Sequence, residues 1–82
     1  MTYGDVETTV KEILAKQLTM DVGLIKPESR LVEDLGIDSF GSVEIAFELE
    51  EKFSLKIPDA ALYEAKTVKD IVDYIAGQKE AK

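Results

Sequence analysis

Cysteine, histidine and tryptophan are absent from this sequence of 82 residues. Without cysteine there is no disulfide framework, no thiolate nucleophile and no zinc site of the cysteine type. Without histidine the chain lacks the commonest general base and metal ligand. Basic residues are also scarce, because 10 Lys and Arg face 17 Asp and Glu, which gives a net charge of −7. A binder of the nucleic-acid backbone needs a basic patch, so we expect no nucleic-acid partner.

Long apolar runs are missing as well, so we expect no membrane span. The opening residues Met-Thr-Tyr-Gly-Asp contain neither the basic stretch nor the apolar run of a secretory signal, which favours a cytoplasmic location. The apolar share of 45% is enough for one small core. We therefore expect a monomer with a single domain over 1–82, its core at about 3–76 and a polar tail at 77–82.

The apolar spacing predicts an all-α fold. A first helix contains Val6 to Leu18, with Thr2 and Asp5 as a capping pair at its start. The strongest helix runs from Ser39 to about Phe53. A short helix at 59–64 follows Pro58, and a last helix begins after Thr67 and ends with Gly77 as its C-cap. The expected architecture is a small four-helix bundle, with three main helices and one short one.

A long loop from about Thr19 to Asp38 follows the first helix. Glycine, proline and serine interrupt this segment, which is typical of a loop. It is either a disordered linker or a loop pinned to the core by its own apolar side chains. We favour the pinned loop, because a core this small needs all its apolar residues. The proposed pins are Leu24, Ile25, Leu31, Leu35 and Ile37.

The helix from Ser39 has an unusually wide apolar arc, about 220° where an ordinary surface helix needs about 100°. Either several neighbours pack around it, or one edge of the arc is exposed for a partner. Phe40, Val43 and Phe47 form the edge in question. Glu44, Glu48 and Glu51 share the remaining face. They could hold a divalent ion loosely, but a solvated acidic face explains them without a ligand.

Ser39 stands at the start of this helix, after the long loop. One interpretation is a simple N-cap, since serine is among the best residues there. The other is a covalent modification site, because a hydroxyl at a helix start is exposed and well held. Independent catalysis has little support, since the chain offers no triad, no phosphate loop and no evident pair of buried carboxylates.

Leu35-Gly36-Ile37-Asp38-Ser39-Phe40 resembles the phosphopantetheine attachment motif of the acyl carrier protein family, normally Leu-Gly-x-Asp-Ser-Leu. The similarity continues through Val43-Glu44, the Ile57-Pro58-Asp59 turn and Thr67-Val68. It covers about residues 6–76, and these segments at these distances are a far more specific signal than Asp-Ser alone. Phe40 stands where leucine is usual, and Gly41 where fatty-acid carriers commonly have an acidic residue.

The resemblance implies a carrier protein rather than an enzyme. Ser39 would receive 4'-phosphopantetheine from coenzyme A through a phosphopantetheinyl transferase, which makes the chain a phosphoprotein. Asp38 would help the transferase position the hydroxyl and its metal. The thiol of the arm would hold an acyl group as a thioester, which suits a chain without cysteine. A groove between helices would shelter part of the acyl chain, with these candidate residues lining or supporting it: Val10, Leu14, Ile45, Leu49, Val68, Ile71 and Ile75.

The same resemblance implies that the helix from Ser39 meets the partner enzymes. Glu44, Glu48 and Glu51 would face basic docking patches on acyl-loading and acyl-processing enzymes, and Phe40, Val43 and Phe47 would make the apolar contacts. The charge distribution agrees, because residues 37–64 carry seven acidic and two basic side chains. Complementary charge speeds encounter and sets orientation.

Two other functions remain open at this stage. Asp38-Ser39-Phe40-Gly41-Ser42-Val43-Glu44 also resembles the motif region of D-alanyl carrier proteins, so the cargo is an acyl group of fatty-acid, lipid or polyketide biosynthesis, or an aminoacyl group. Alternatively, the chain is an acidic helical interaction module in which Ser39 only caps its helix.

Overall fold

The computed structural model describes residues 2–80, and within them the fold is helical. Three long helices are joined by a 3-10 turn, a short helix and loops. The elements in chain order are α1 (Tyr3–Leu18), the 3-10 turn (Val22–Leu24), α2 (Ser39–Phe53), α3 (Asp59–Glu64) and α4 (Val68–Glu80). The all-α prediction with three main helices is confirmed. The four-helix bundle is supported only in part, because α3 is a short segment of 6 residues.

α1 is the central packing partner, since it lies against both α2 and α4. Its start is the predicted capping pair: the Thr2 hydroxyl accepts from the Asp5 N–H, and the Asp5 carboxylate accepts from the Thr2 N–H. α1 and α2 both end in a residue with left-handed backbone, Thr19 and Ser54. The core between the helices is apolar. Its largest fully buried side chains are Phe53, Leu14, Leu49, Ile75, Val6, Val10, Val68 and Val72.

The loop between α1 and α2 is pinned to the core, as predicted. Ile25, Leu31 and Ile37 are buried, and Leu35 packs against the core while half-buried. The prediction for Leu24 is wrong, because this side chain is 64% exposed on the 3-10 turn. The loop sequence has no periodicity that distinguishes inward from outward apolar residues.

The same loop also holds the start of α4 through the backbone. Leu31 N–H donates to the Lys66 carbonyl at 2.9 Å, and Val68 and Lys69 N–H donate to the Ser29 and Pro27 carbonyls at 3.1 and 2.8 Å. The bonds from Val68 and Lys69 satisfy donors that the first turn of a helix cannot satisfy within itself. Together with the bond from Leu31, they include the antiparallel bridge between Arg30 and Thr67.

Side chains complete the anchoring of α4. The Asp70 carboxylate accepts from the Thr67 N–H, and the Thr67 hydroxyl accepts from the Asp70 N–H, so the predicted capping pair is confirmed. A backbone N–H of Lys66 also donates to Asp70 and is the main cause of the lowered pKa of this carboxyl. One turn on, the Tyr3 hydroxyl and the Lys69 ammonium donate to Asp73, and these bonds lower the pKa of Asp73.

The end of α4 departs from the prediction. Gly77 does not cap the helix, which continues through it to Glu80. Part of the predicted polar tail is therefore helical, and residues 81–82 lie outside the described residues. A glycine costs a helix interior up to about 1 kcal/mol against alanine, which the packing of the buried face of α4 outweighs.

Candidate functional site

A tight turn delivers the chain to the start of α2. Residues Leu31 to Leu35 form consecutive turns, and Ile37 N–H closes them by donating to the Leu31 carbonyl at 2.9 Å. Gly36 has a φ of 70°, a left-handed conformation that favours glycine. Ile37 is buried on the core. The turn and this anchor fix where the next two residues, Asp38 and Ser39, emerge.

Asp38, rather than Ser39, is the N-cap of α2. Its backbone is extended, and its Oδ1 accepts from the Gly41 N–H at 2.7 Å. Ser39 is the first residue of the helix and is exposed. The interpretation of Ser39 as a simple cap is therefore wrong. Both residues are good caps in sequence terms, so the pattern alone could not decide which of two neighbours takes the position.

Gly41 leaves room for the capping carboxylate of Asp38. A Cβ built on Gly41 would lie 3.2 Å from Asp38 Oδ1 and 3.7 Å from Ile37 Cγ2. The first of these distances is tighter than an ordinary contact, so a side chain here would require the carboxylate to shift by a few tenths of an ångström. The glycine therefore lets the carboxylate keep its position. It also leaves the first turn of α2 without an acidic side chain.

Ser42 is a site residue that sequence reasoning missed. Its hydroxyl donates to the Asp38 carbonyl at 3.0 Å, and its N–H donates to the same oxygen at 2.9 Å. The side chain is half-buried one turn after Ser39. The spacing of four residues from the cap was the available signal, because serine in a first turn can bond back to that carbonyl.

The outer edge of α2 is apolar and exposed. Phe40, Val43 and Phe47 are 74%, 64% and 67% exposed, whereas Ile45 and Leu49 on the inner face are buried. Of the two explanations for the wide apolar arc, the exposed edge is therefore correct. Large aromatic side chains this exposed are a signal of a contact surface when they form one edge of one helix.

The three predicted glutamates do not behave alike. Glu44 and Glu51 are exposed on α2. Glu48 is half-buried, because Gln17 Nε2 on α1 donates to its Oε1 at 3.0 Å and Lys16 Nζ lies 3.9 Å away. Glu48 therefore joins α1 to α2 as well as adding charge. The contact crosses between helices and could not be seen in a one-dimensional pattern.

A metal site on this face has no support. Across the described part of the chain, no three His, Cys, Asp or Glu side chains come together in a way that could hold an ion. The helices described over residues 2–80 likewise include none with the length and apolar character that crossing a bilayer requires.

Two narrow crevices open into the core beside α2. The first, here the Ser42 crevice, has a volume of about 20 Å³ and is lined by Leu14, Leu31, Ile37, Ser42, Ile45 and Ile71. The second, here the α3 crevice, also measures about 20 Å³ and is lined by apolar surface of Leu49, Ile57, Ala61, Ala65, Ile71, Tyr74 and Ile75. Of the residues predicted to form a groove, Val10 and Val68 are buried but line neither crevice, whereas the other five line one or both.

Comparison with known proteins agrees with the geometry. The family described as "Phosphopantetheine attachment site" matches residues 8–75. An acyl carrier protein of Helicobacter hepaticus is 48% identical over 75 residues, which cover 92% of this chain and 99% of that protein. One from Syntrophobacter fumaroxidans is 42% identical over 81 residues, which cover 99% and 100% of the two chains.

This chain belongs to the acyl carrier protein family. A solved structure from Mycobacterium tuberculosis, of a protein predicted to be an acyl carrier protein, has a TM-score of 0.83 and 30% sequence identity, and the match covers 89% of this chain and 97% of that one. Members are carriers rather than catalysts, and their prosthetic group is covalently attached 4'-phosphopantetheine. They are served by a phosphopantetheinyl transferase and by acyl-processing enzymes.

Proposed function

We propose that Ser39 carries the phosphopantetheine arm and that the protein delivers thioester-bound acyl groups to enzymes of fatty-acid or specialised lipid or polyketide biosynthesis. The observation that carries this proposal is that two different residues at the start of α2 cap the helix and present a free hydroxyl. Asp38 caps the helix, so the exposed Ser39 hydroxyl has no capping task. The rival function, an interaction module in which Ser39 serves only as a cap, requires the opposite arrangement.

The residues at this position suit a phosphodiester. The N-terminal end of a helix carries a partial positive charge and favours an anion. The first turn of α2 adds no acidic side chain to the Asp38 carboxylate that caps it, and this carboxylate is already engaged by the Gly41 N–H. In the transfer, the Ser39 oxygen forms a bond to phosphorus, the pyrophosphate bond of coenzyme A breaks, and adenosine 3',5'-bisphosphate leaves while the hydroxyl proton is released. Asp38 would orient the serine and the transferase's metal ion.

The outer face of α2 is proposed as the docking surface for partner enzymes. Phe40, Val43 and Phe47 supply exposed apolar contact area, and Glu44 and Glu51 supply exposed negative charge beside it. A partner face with apolar pockets among lysines and arginines would fit both features. Glu48 contributes charge from a fixed position, because α1 holds it. We propose that the protein acts as a cytoplasmic monomer, with one carrier domain over 1–82.

The attachment site can be tested by intact mass. The apo-protein, Ser39→Ala and Ser42→Ala are incubated with coenzyme A and a broad-specificity transferase. We expect one phosphopantetheine-sized addition to the wild type and to Ser42→Ala, and none to Ser39→Ala. Ser42→Ala is the matched control, because this serine lies on the same helix one turn after Ser39. An addition to Ser39→Ala would contradict the proposal, as would an unmodified wild type beside a modified control carrier.

The class of cargo is a separate question with its own measurement. The protein is purified from its native cells without thiol reagents, and its mass is recorded before and after the thioester is cleaved with hydroxylamine. An acyl mass supports the proposed pathway class. An alanyl mass would instead assign the chain to the aminoacyl carriers that its motif region also resembles.

A further inference from the structure

The two crevices beside α2 share one lining residue, Ile71. The Ser42 crevice lies between the loop, α1, α2 and α4, and the α3 crevice lies between α2, α3 and α4. Ile71 on α4 is 7% exposed, so its side chain lies in the core with one crevice on either side of it. Each crevice of about 20 Å³ holds little more than one water molecule. Neither accepts an acyl chain of any length without widening.

The surroundings of the two crevices are not equally easy to widen. The α3 crevice borders the short helix α3, whose start has no side-chain cap. The Ser42 crevice is bounded by residues of α1, of α2 and of the pinned loop. Small side chains, Ala61 and Ala65, line the α3 crevice. An acyl chain therefore meets less resistance in the α3 crevice, where Ile71 is the lining residue shared with the Ser42 crevice.

Ile71 is suited to be a fixed partition. A β-branched side chain in a helix has one strongly preferred χ1 rotamer, so it cannot swing aside freely. Its helix is held at the start by the Thr67–Asp70 cap and by backbone bonds from the loop. One turn on, Asp73 joins α4 to α1 through Tyr3. Moving Ile71 thus means moving α4 or straining a rotamer, whereas shortening the side chain removes the obstacle.

We propose that Ile71 separates the two crevices and so sets the length of acyl chain that the protein shelters. The inference rests on the proposed function, since it requires an acyl group on the arm at Ser39. Chains that fit on one side of Ile71 are protected along their whole length. Longer chains leave part of their length, or their thioester, in water.

The test measures thioester protection against chain length. A transferase loads butyryl-, octanoyl-, dodecanoyl- and hexadecanoyl-coenzyme A onto wild type, Ile71→Val and Ile71→Ala, and the rate of cleavage by hydroxylamine is followed by mass. In the wild type we expect cleavage to slow with chain length up to a limit. Both Ile71 variants should move that limit to longer chains, with cleavage slowed by about fourfold for each further methylene buried.

Ile13→Val and Ile13→Ala are the matched controls. Ile13 is 8% exposed on α1, close to the 7% of Ile71, and it lines neither crevice. The same loss of volume there should leave the length limit where it is in the wild type. Ile71→Val keeps the test valid if Ile71→Ala does not fold.

The possible results distinguish failure of the Ile71 partition from failure of the carrier function. If Ser39 is loaded but both Ile71 variants keep the wild-type limit, the partition is wrong while the carrier function stands. A limit that moves equally in the Ile13 variants would also contradict the partition, because general loosening of the core would then explain it. If no chain is loaded onto Ser39 at all, the proposed function itself fails.

Discussion

α2 and α4 both pack on α1. They differ in how far their surface side chains bond to the rest of the protein. α4 begins with a reciprocal capping box, and its Asp73 is engaged by Tyr3 and Lys69. α2 begins with the single cap from Asp38 and exposes an aromatic edge. The surface groups of α4 thus serve the protein's own stability, whereas the outer face of α2 keeps its contact area for other molecules.

The largest expected effect separates the two faces of α2. Phe53→Ala removes a side chain that is 2% exposed, so it should lower the free energy of unfolding by about 3–5 kcal/mol. Phe47→Ala removes the same atoms from the outer face and should change it by less than about 0.5 kcal/mol. Urea unfolding measures both. Phe47→Ala should instead slow modification by the transferase. If it lowered the free energy of unfolding as much as Phe53→Ala does, Phe47 would lie in the core and the proposed docking surface would be wrong.

The second prediction separates capping from charge at Asp38. Asparagine caps helices as well as aspartate does, so Asp38→Asn should preserve stability, whereas Asp38→Ala should lose about 1 kcal/mol. Both should slow modification by about 10- to 100-fold, the usual cost of losing a group that orients a metal ion or its ligands.

Asp70→Asn is the control for Asp38, since it changes the first turn of α4 instead. Its modification rate should equal that of the wild type. If Asp38→Asn is modified at the normal rate, Asp38 acts only as a cap. The starts of α2 and α4 would then both contribute to stability alone, and neither would take part in recognition by the transferase.

Charge on the outer face of α2 gives a smaller effect. Glu44→Lys with Glu51→Lys should slow transferase modification by up to about tenfold at low ionic strength, and by less at high salt because charges are then screened. Glu12→Lys with Glu28→Lys changes the net charge equally on exposed positions outside α2. Equal slowing by the two pairs would show that net charge, rather than the face of α2, guides the encounter.

The smallest effect concerns the missing acid in the first turn of α2. Gly41→Glu places a carboxylate where α1 has Asp5 and α4 has Asp70, and Gly41→Gln is its neutral control. In the apo-protein the helix dipole should favour the charged variant over the neutral one by at most about 1 kcal/mol, because repulsion from the nearby Asp38 carboxylate opposes it. With a phosphodiester on Ser39 that advantage should vanish through repulsion. Melting temperatures of apo and holo forms test this, and an advantage that persists in the holo form would contradict a phosphate at this helix end.

The periodic parts of the chain were predictable. The bounds of α2 and α3 and the capping pairs at Thr2 and Thr67 followed from spacing, because helix faces depend on local sequence. Spacing also identified the edge at Phe40, but it left open whether neighbours cover this edge, and the structure decided that it is exposed. The assignment of the cap to Asp38 did not follow from spacing, since Asp38 and Ser39 are both good caps in sequence terms and only the backbone conformation distinguishes them.

Other features depend on residues far apart in the chain and were therefore out of reach. The contact between Gln17 and Glu48 joins two helices. The exposure of Leu24 is set by the path of an aperiodic loop, and the continuation of α4 through Gly77 by the packing of its buried face. The sharing of Ile71 by two crevices depends on the placement of all the helices together.

The most direct measurement is the position of the prosthetic group in the native protein. The protein is purified from the cells that make it, digested, and fragmented in a mass spectrometer. The account predicts phosphopantetheine on the peptide that contains Ser39, with fragment ions that assign the added mass to Ser39 and leave Ser42 unmodified. Phosphopantetheine on Ser42 or on any other serine would contradict it, and so would an unmodified protein in cells whose other carriers are modified.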